Sequence, residues 1–133
     1  MRMASCFALG VTAAALAACG GGGGGVAGGG AASCSPGPTA ALSITPTGLS
    51  PMNVCVSPNG QVTFSNTDTV AHHDIEFDTA GCPTVGDLAP GAQKTVTFPS
   101  VSNCSFHDGA NAASAAFKGT VAVTQVTVSG GGY

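Results

Sequence analysis

The sequence predicts an all-β domain, a Greek-key β-sandwich built from about 95 of the 133 residues. Three observations carry that expectation. Valine, threonine and serine dominate residues 34–128. Glycine and proline interrupt the chain at short intervals. No apolar pattern of helical period lasts beyond a turn.

Each expected strand has its own warrant. Ala41–Thr45 alternates Leu42 and Ile44 with small polar residues, and Met52–Val56 and Gln61–Asn66 repeat that period of two. Ser57-Pro58-Asn59-Gly60 supplies turn chemistry between those two runs, and Asn66-Thr67-Asp68 supplies it after the second. His73–Phe77 alternates His73, Ile75 and Phe77 with acids. Ala89-Pro90-Gly91 then turns the chain into Lys94–Phe98, followed by Cys104–Asp108 and Thr120–Val128. In the last run Val121 and Val123 share one face, whereas Val126 and Val128 fall in the opposite phase. A bulge or a strand end is therefore expected near Thr124. Seven such strands make a sandwich, and residues 129–133 read as a frayed tail.

The N-terminal third is organised differently. Arg2 and the apolar run Phe7–Ala18 have the pattern of an export signal, too short to span a bilayer stably. The run ends in Leu16-Ala17-Ala18-Cys19, which resembles the lipobox of bacterial lipoproteins. That resemblance implies removal of residues 1–18 and a diacylglycerol on the Cys19 sulfur. Gly20, where an aspartate would signal inner-membrane retention, points to the outer membrane. Residues 20–30 are almost all glycine and cannot repay the entropy of ordering. Residues 19–33 thus form a flexible tether holding the domain at a membrane on the periplasmic side.

Cysteine usage agrees with export. Cys6 leaves with the signal and Cys19 carries lipid, so Cys34, Cys55, Cys82 and Cys104 remain, an even number in an oxidising compartment. Three pairings are possible. The expected one, Cys34–Cys55 with Cys82–Cys104, closes loops of about 22 residues, each contributing roughly 3 kcal/mol in the chain-entropy model. A four-cysteine zinc site lacks any CxxC spacing. Charge is sparse: Lys94 and Lys118 stand against six acids, so no basic patch exists for nucleic acid. No GxSxG segment and no phosphate-binding glycine loop occurs, and the sequence predicts no enzyme.

Three segments, in order, resemble the cupredoxins, the small copper-protein sandwiches. QVTFSNTDTVAHHDIEF resembles the strand, turn and first-ligand segment. DLAPGAQKTVTF resembles the turn and strand before the ligand loop, and CSFHDGANAASAAFKGTVAV resembles that loop and the closing strand. The resemblance covers residues 61–123 and implies a copper position near the histidines. His73 lies in phase with Ile75 and Phe77 and so faces the core. Counting from Phe64 and Asn66 instead points to His72, and either can be the first ligand.

The remaining ligand positions depart from the family. A type 1 copper site needs a cysteine thiolate, two imidazoles and a weak axial ligand. The inward phase Cys104, Phe106, Asp108 puts Asp108 where the cysteine belongs. Asn111 stands in place of the second histidine and Phe117 in place of the methionine. FHD also resembles an FHDH-type ligand loop of some exported cupredoxin-like proteins, with Gly109 at its second histidine. A blue-copper electron carrier is not supported. His73 or His72, with His107 and Asp108, could instead hold copper(II), nickel or zinc, which suit imidazole and carboxylate. His107 and Asp108 alternate on one ideal strand, so both can bind only if the chain bends there. The plainer alternative makes these polar rim residues, with His107 solvated and Asp108 hydrogen-bonded to a histidine. Asp74, Glu76 and Asp78 read as the solvated outward face of their strand.

Two functions follow from these residues. One is a tethered envelope module that binds copper. The other is a metal-free sandwich that supports structure or binds an envelope protein. Mass spectrometry of the mature chain is expected to show a diacylglyceryl-modified Cys19 at its N-terminus. An unmodified chain beginning elsewhere would remove the anchor.

Overall fold

The computed structural model describes residues 34–127; Cys19, the tether, Val128 and the C-terminal tail lie outside the described residues. Eight strands form, each where polar and apolar residues alternate or where a neighbour supplies an edge. They are β1 (Gly37–Thr45), β2 (Gly48–Ser50), β3 (Asn53–Asn66), β4 (His73–Phe77), β5 (Gly86–Leu88), β6 (Gln93–Phe98), β7 (Ser102–Asp108) and β8 (Lys118–Val123). Two short 3-10 turns, Gly109–Asn111 and Ala115–Phe117, connect β7 to β8. The architecture is the expected all-β sandwich.

Both layers share β3. Its first residues run parallel to β8, and that layer continues through β7 and β4 to β5. Its later residues run parallel to β1 and antiparallel to β6, with β2 beyond β1. The expected strands Met52–Val56 and Gln61–Asn66 are therefore one strand of 14 residues. Ser57-Pro58-Asn59-Gly60 does not end it. Asn59 takes a left-handed φ of 64°, and a Cβ at Gly60 would lie 2.6 Å from the Ser57 carbonyl oxygen. The turn residues thus bend the strand from one layer into the other. Strands β2 and β5, three residues each, are too short to show a period and depend on their partners β1 and β4. The last strand stops at Val123, at the phase break read from its valines.

Aromatic rings join the layers. Phe64 on β3 meets Phe106 on β7 edge-to-face, with centroids 5.6 Å apart, and Phe77 on β4 meets Phe98 on β6 at 5.9 Å. Leu42, Ile44, Val56, Val62, Ile75, Val121 and Val123 fill the space around them. Both disulfides pair as expected, Cys34 with Cys55 and Cys82 with Cys104, with Cα separations of 5.9 and 6.0 Å. The second ties the loop after β4 to the buried start of β7. Gly119 lets β8 pass closely: a Cβ there would fall on the Met52 carbonyl and 2.6 Å from the Phe106 ring.

Phe64 is fully buried at the join of the two layers. Phe64→Ala is expected to lower unfolding stability by roughly 3–5 kcal/mol, the usual cost of removing a buried aromatic. Denaturant unfolding of the oxidised protein measures it.

Candidate functional site

The site lies at the rim of the sandwich, where β4 begins and β7 ends. Alternation along β4 turns His73 inward with Ile75, leaving His73 only 2% exposed. Alternation along β7 does the same for Cys104, Phe106 and Asp108, and Asp108 is completely buried. The β4–β7 register places Ile75 opposite Asp108. His73 lies two residues earlier on the same face and reaches that carboxylate diagonally.

Asp108 organises everything nearby. Its Oδ2 accepts the His73 Nδ1 hydrogen at 2.7 Å and an Asn111 Nδ2 hydrogen at 2.6 Å. Its Oδ1 accepts the backbone N–H of Asp74 at 2.9 Å and that of Ala110 at 3.2 Å. A carboxylate offers about four lone-pair sites, and four donors meet them. Burial alone would raise the Asp108 carboxyl. The bonds from Asn111, His73, Asp74 and Ala110 outweigh that and hold it below its ordinary value of 3.8. Phe117 stacks on the His73 ring, with centroids 5.7 Å apart and planes 19° from parallel.

The loop from Asn66 to His72 closes the other side. Asn66 is buried and donates to the carbonyls of Ala71 and Leu88, while its Oδ1 accepts the Asp68 N–H. Asp68 Oδ1 accepts the N–H groups of Val70 and Ala71. These two bonds hold the Asp68 carboxyl below its ordinary value, against a smaller opposing effect of burial and with help from His73. Its Oδ2 faces His73 Nε2 at 3.6 Å, and that buried nitrogen has no hydrogen-bond partner.

Of the four candidate ligands, only His73 and Asp108 come together. His72 points outward, as the strand phase implies, and lies beside Asp87 at 3.1 Å with both side chains well exposed. His107 does not join them, because β7 runs straight through Asp108 with no bend. It faces outward between Asp78, 2.9 Å from its Nδ1, and Glu76, 3.5 Å from its Nε2. Asp78 and Glu76 therefore flank a histidine and are more than a solvated edge. Asn66, Asp68, Asn111 and Phe117 complete the buried site. Sequence reasoning placed the last two only as replaced ligands, and the Asn-Thr-Asp turn was the signal for the first two. Among the described residues, no three His, Cys, Asp or Glu side chains converge on one metal position.

No protein-family model matches the chain, and no curated protein sequence is similar to it. Solved structures are similar. The purple cupredoxin of Nitrosopumilus maritimus superimposes with a TM-score of 0.55 at 18% identity, over 64% of this chain and 99% of that one. Plastocyanin from Dryopteris crassirhizoma gives 0.52 at 20% identity, over 64% and 100%. The fold is cupredoxin-like. A copper-containing nitrite reductase from Thermus scotoductus also matches, with a TM-score of 0.56 at 17% identity over 64% of this chain, but over only 22% of the reductase.

Copper is the group that this fold implies, and the donor chemistry of the cupredoxin-like domain does not fit a type 1 centre. His73, Asp108, Asn111 and Phe117, which stand where the sequence resemblance puts the four ligands, are linked by the His73–Asp108 and Asn111–Asp108 hydrogen bonds and the His73–Phe117 stack, but supply one imidazole, a carboxylate, an amide and a phenyl ring. Thiolate and second imidazole are both missing from the set. All the lone pairs of Asp108 are already engaged, and Asn111 presents its NH₂ group to them.

Asp108→Asn puts an amide donor against these donors and is expected to cost roughly 3 kcal/mol at neutral pH. The pH dependence has a definite sign. A carboxyl depressed below 3.8 in the folded state stabilises fully above that value, and the contribution is lost as pH falls through the folded value. The variant should therefore show a shallower loss of stability below pH 3.8, measured by denaturant unfolding across an acid series.

Proposed function

We propose that the chain is a membrane-tethered envelope module whose cupredoxin-like domain has exchanged the copper centre for a hydrogen-bonded His–Asp–Asn lock. The module serves structure or protein binding, with no electron transfer through the rim. The observation that carries this reading is the saturation of Asp108 by four donors drawn from His73, Asp74, Ala110 and Asn111. A lock of that kind holds the start of β4, the end of β7 and the following loop without a metal. The tether reading rests on the Leu16–Cys19 lipobox and the glycines after it, and it supports an outer-membrane, periplasm-facing location. No catalytic step is assigned. The fold likeness to part of a nitrite reductase carries no chemistry to this chain, because a shared fold hosts many functions.

One observation favours a second reading, copper(II) held by imidazole and carboxylate. His73 and Asp108 do converge where the sequence resemblance puts copper ligands, with imidazole Nδ1 and carboxylate Oδ2 2.7 Å apart. Binding there requires the Nδ1 hydrogen of His73 and the Asn111 amide to leave Oδ2. Zinc or nickel would make the same demand.

Metal analysis and electron paramagnetic resonance of protein purified from its native envelope separate the two. The lock reading expects no stoichiometric metal on His73. A stoichiometric, pale copper(II) signal lost in His73→Ala would support the second reading. An intense visible absorption band, expected of a copper–thiolate site, would contradict both.

A further inference from the structure

Four segments meet at the pole of the sandwich opposite the His73–Asp108 rim. The second arm of β3 runs toward the rim and ends there at Asn66. Strand β1 runs parallel to it and so begins at the far pole, where Gly37 pairs with Val56. Ser57 Oγ donates to the Gly37 carbonyl there at 3.2 Å, and the Cys34–Cys55 disulfide holds the start of the domain beside them. Strand β6 ends at the same level, with Phe98 opposite Gly60. Strand β7 starts there with Ser102 opposite Val123, and the Thr124 N–H donates to the Val56 carbonyl at 3.0 Å. Residues 34–38, 57–60, 99–102 and 124–127 therefore share one pole.

The composition of this pole differs from that of the remaining surface. Its four segments contain no Asp, Glu, Lys, Arg or His, and every charged or imidazole side chain of the domain lies elsewhere. Val101 and Val126 are 55% and 57% exposed, among the few large apolar side chains left so open in the described residues. Pro36, Pro38, Pro58 and Pro99 add apolar rings whose nitrogens carry no hydrogen to be stripped of water. Such a surface gives up little hydration on meeting a lipid headgroup layer, and it brings no carboxylate against anionic phosphates.

The chain that precedes Cys34 says what covers it. Residues 19–33, read from the sequence as the tether, enter the domain at this pole. A glycine-rich chain of that length spans about 20 Å on average. The nine residues of β1, at about 3.3 Å each, make the domain roughly 30 Å long from pole to rim. Bringing the rim to the bilayer would take the tether back along that whole length, beyond its mean reach, whereas the Cys34 pole meets the bilayer within it. Two acyl chains on Cys19 make a stable anchor and hold the pole at high local concentration against lipid, so that even a weak apolar contact is occupied.

We infer that this uncharged pole rests on the lipid surface, with Val101 and Val126 in the headgroup layer, and that the His73–Asp108 rim faces away from the membrane. The inference rests on the tether reading given above and adds which face of the domain meets lipid.

Full-length protein carrying its lipid is placed in nanodiscs of phosphatidylethanolamine and phosphatidylglycerol, a fraction of whose headgroups carry chelated gadolinium. Mass spectrometry of Cys19 and co-elution with the discs report on the tether. Paramagnetic broadening of backbone amide signals reports on the face. The amides of Asn59, Ser100 and Val126 are expected to relax severalfold faster than those of Val70 and Ala112 at the rim. Val101→Asp combined with Val126→Asp, at two exposed positions, should lower the broadening at the pole severalfold while the protein stays on the discs. Near-ultraviolet circular dichroism confirms that the double variant is folded. Equal broadening at pole and rim, stronger broadening at the rim, or unchanged broadening in the folded double variant would overturn the contact while leaving the tether intact. Pole amides that shift with protein concentration in detergent would assign this face to a second copy of the chain and overturn the contact as well. Protein that lacks lipid on Cys19 and elutes apart from the discs would overturn the tether reading and this inference together.

Discussion

A carboxylate withdrawn from water must have its lone pairs met by the protein, and this demand on Asp108 shapes the whole rim. The donors come from two places in the chain: the start of β4, with His73 and Asp74, and the turn after β7, with Ala110 and Asn111. Neither of these segments could shift without exposing a buried charge to an unpaired environment. The loop from Asn66 to His72 is held from the other side by Asn66, whose side-chain amide binds two carbonyls of neighbouring segments. The rim is thus cross-braced by polar bonds at the place where the aromatic core ends.

Strand β7 presents two histidine–carboxylate systems on its opposite faces. Inward, Asp108 receives His73 in a dry setting under Phe117. Outward, His107 lies between the half-exposed side chains of Asp78 and Glu76. The same chemical partners have different uses because burial differs. A buried carboxylate with every lone pair engaged acts as a brace, whereas an exposed one can exchange its partner for water.

The likeness to solved cupredoxins lies in the course of the strands and not in the donor atoms. Identities of 17–20% are enough for the same sandwich to form, because alternation and turn placement specify it. Ligand identity is a separate matter, set by single residues at the rim. A carboxylate at Asp108 keeps the inward phase of β7 and offers oxygen, not sulfur, to whatever meets it.

From sequence alone, the period of two along β4 and β7 determined that His73 and Asp108 face inward and that His107 faces outward on a straight strand. Local turn chemistry likewise determined the layer class, whereas the cysteines left three pairings open and the fold decided which two form. Ser57–Gly60 was legible as a bend, yet only the pairing of its two arms with β8 and β1 decided that a single strand crosses between layers. The meeting of His73 with Asp108, and of His107 with Glu76 and Asp78, was also a tertiary decision. These residues lie about 30 positions apart, and their contact depends on the β4–β7 register, which no local pattern encodes.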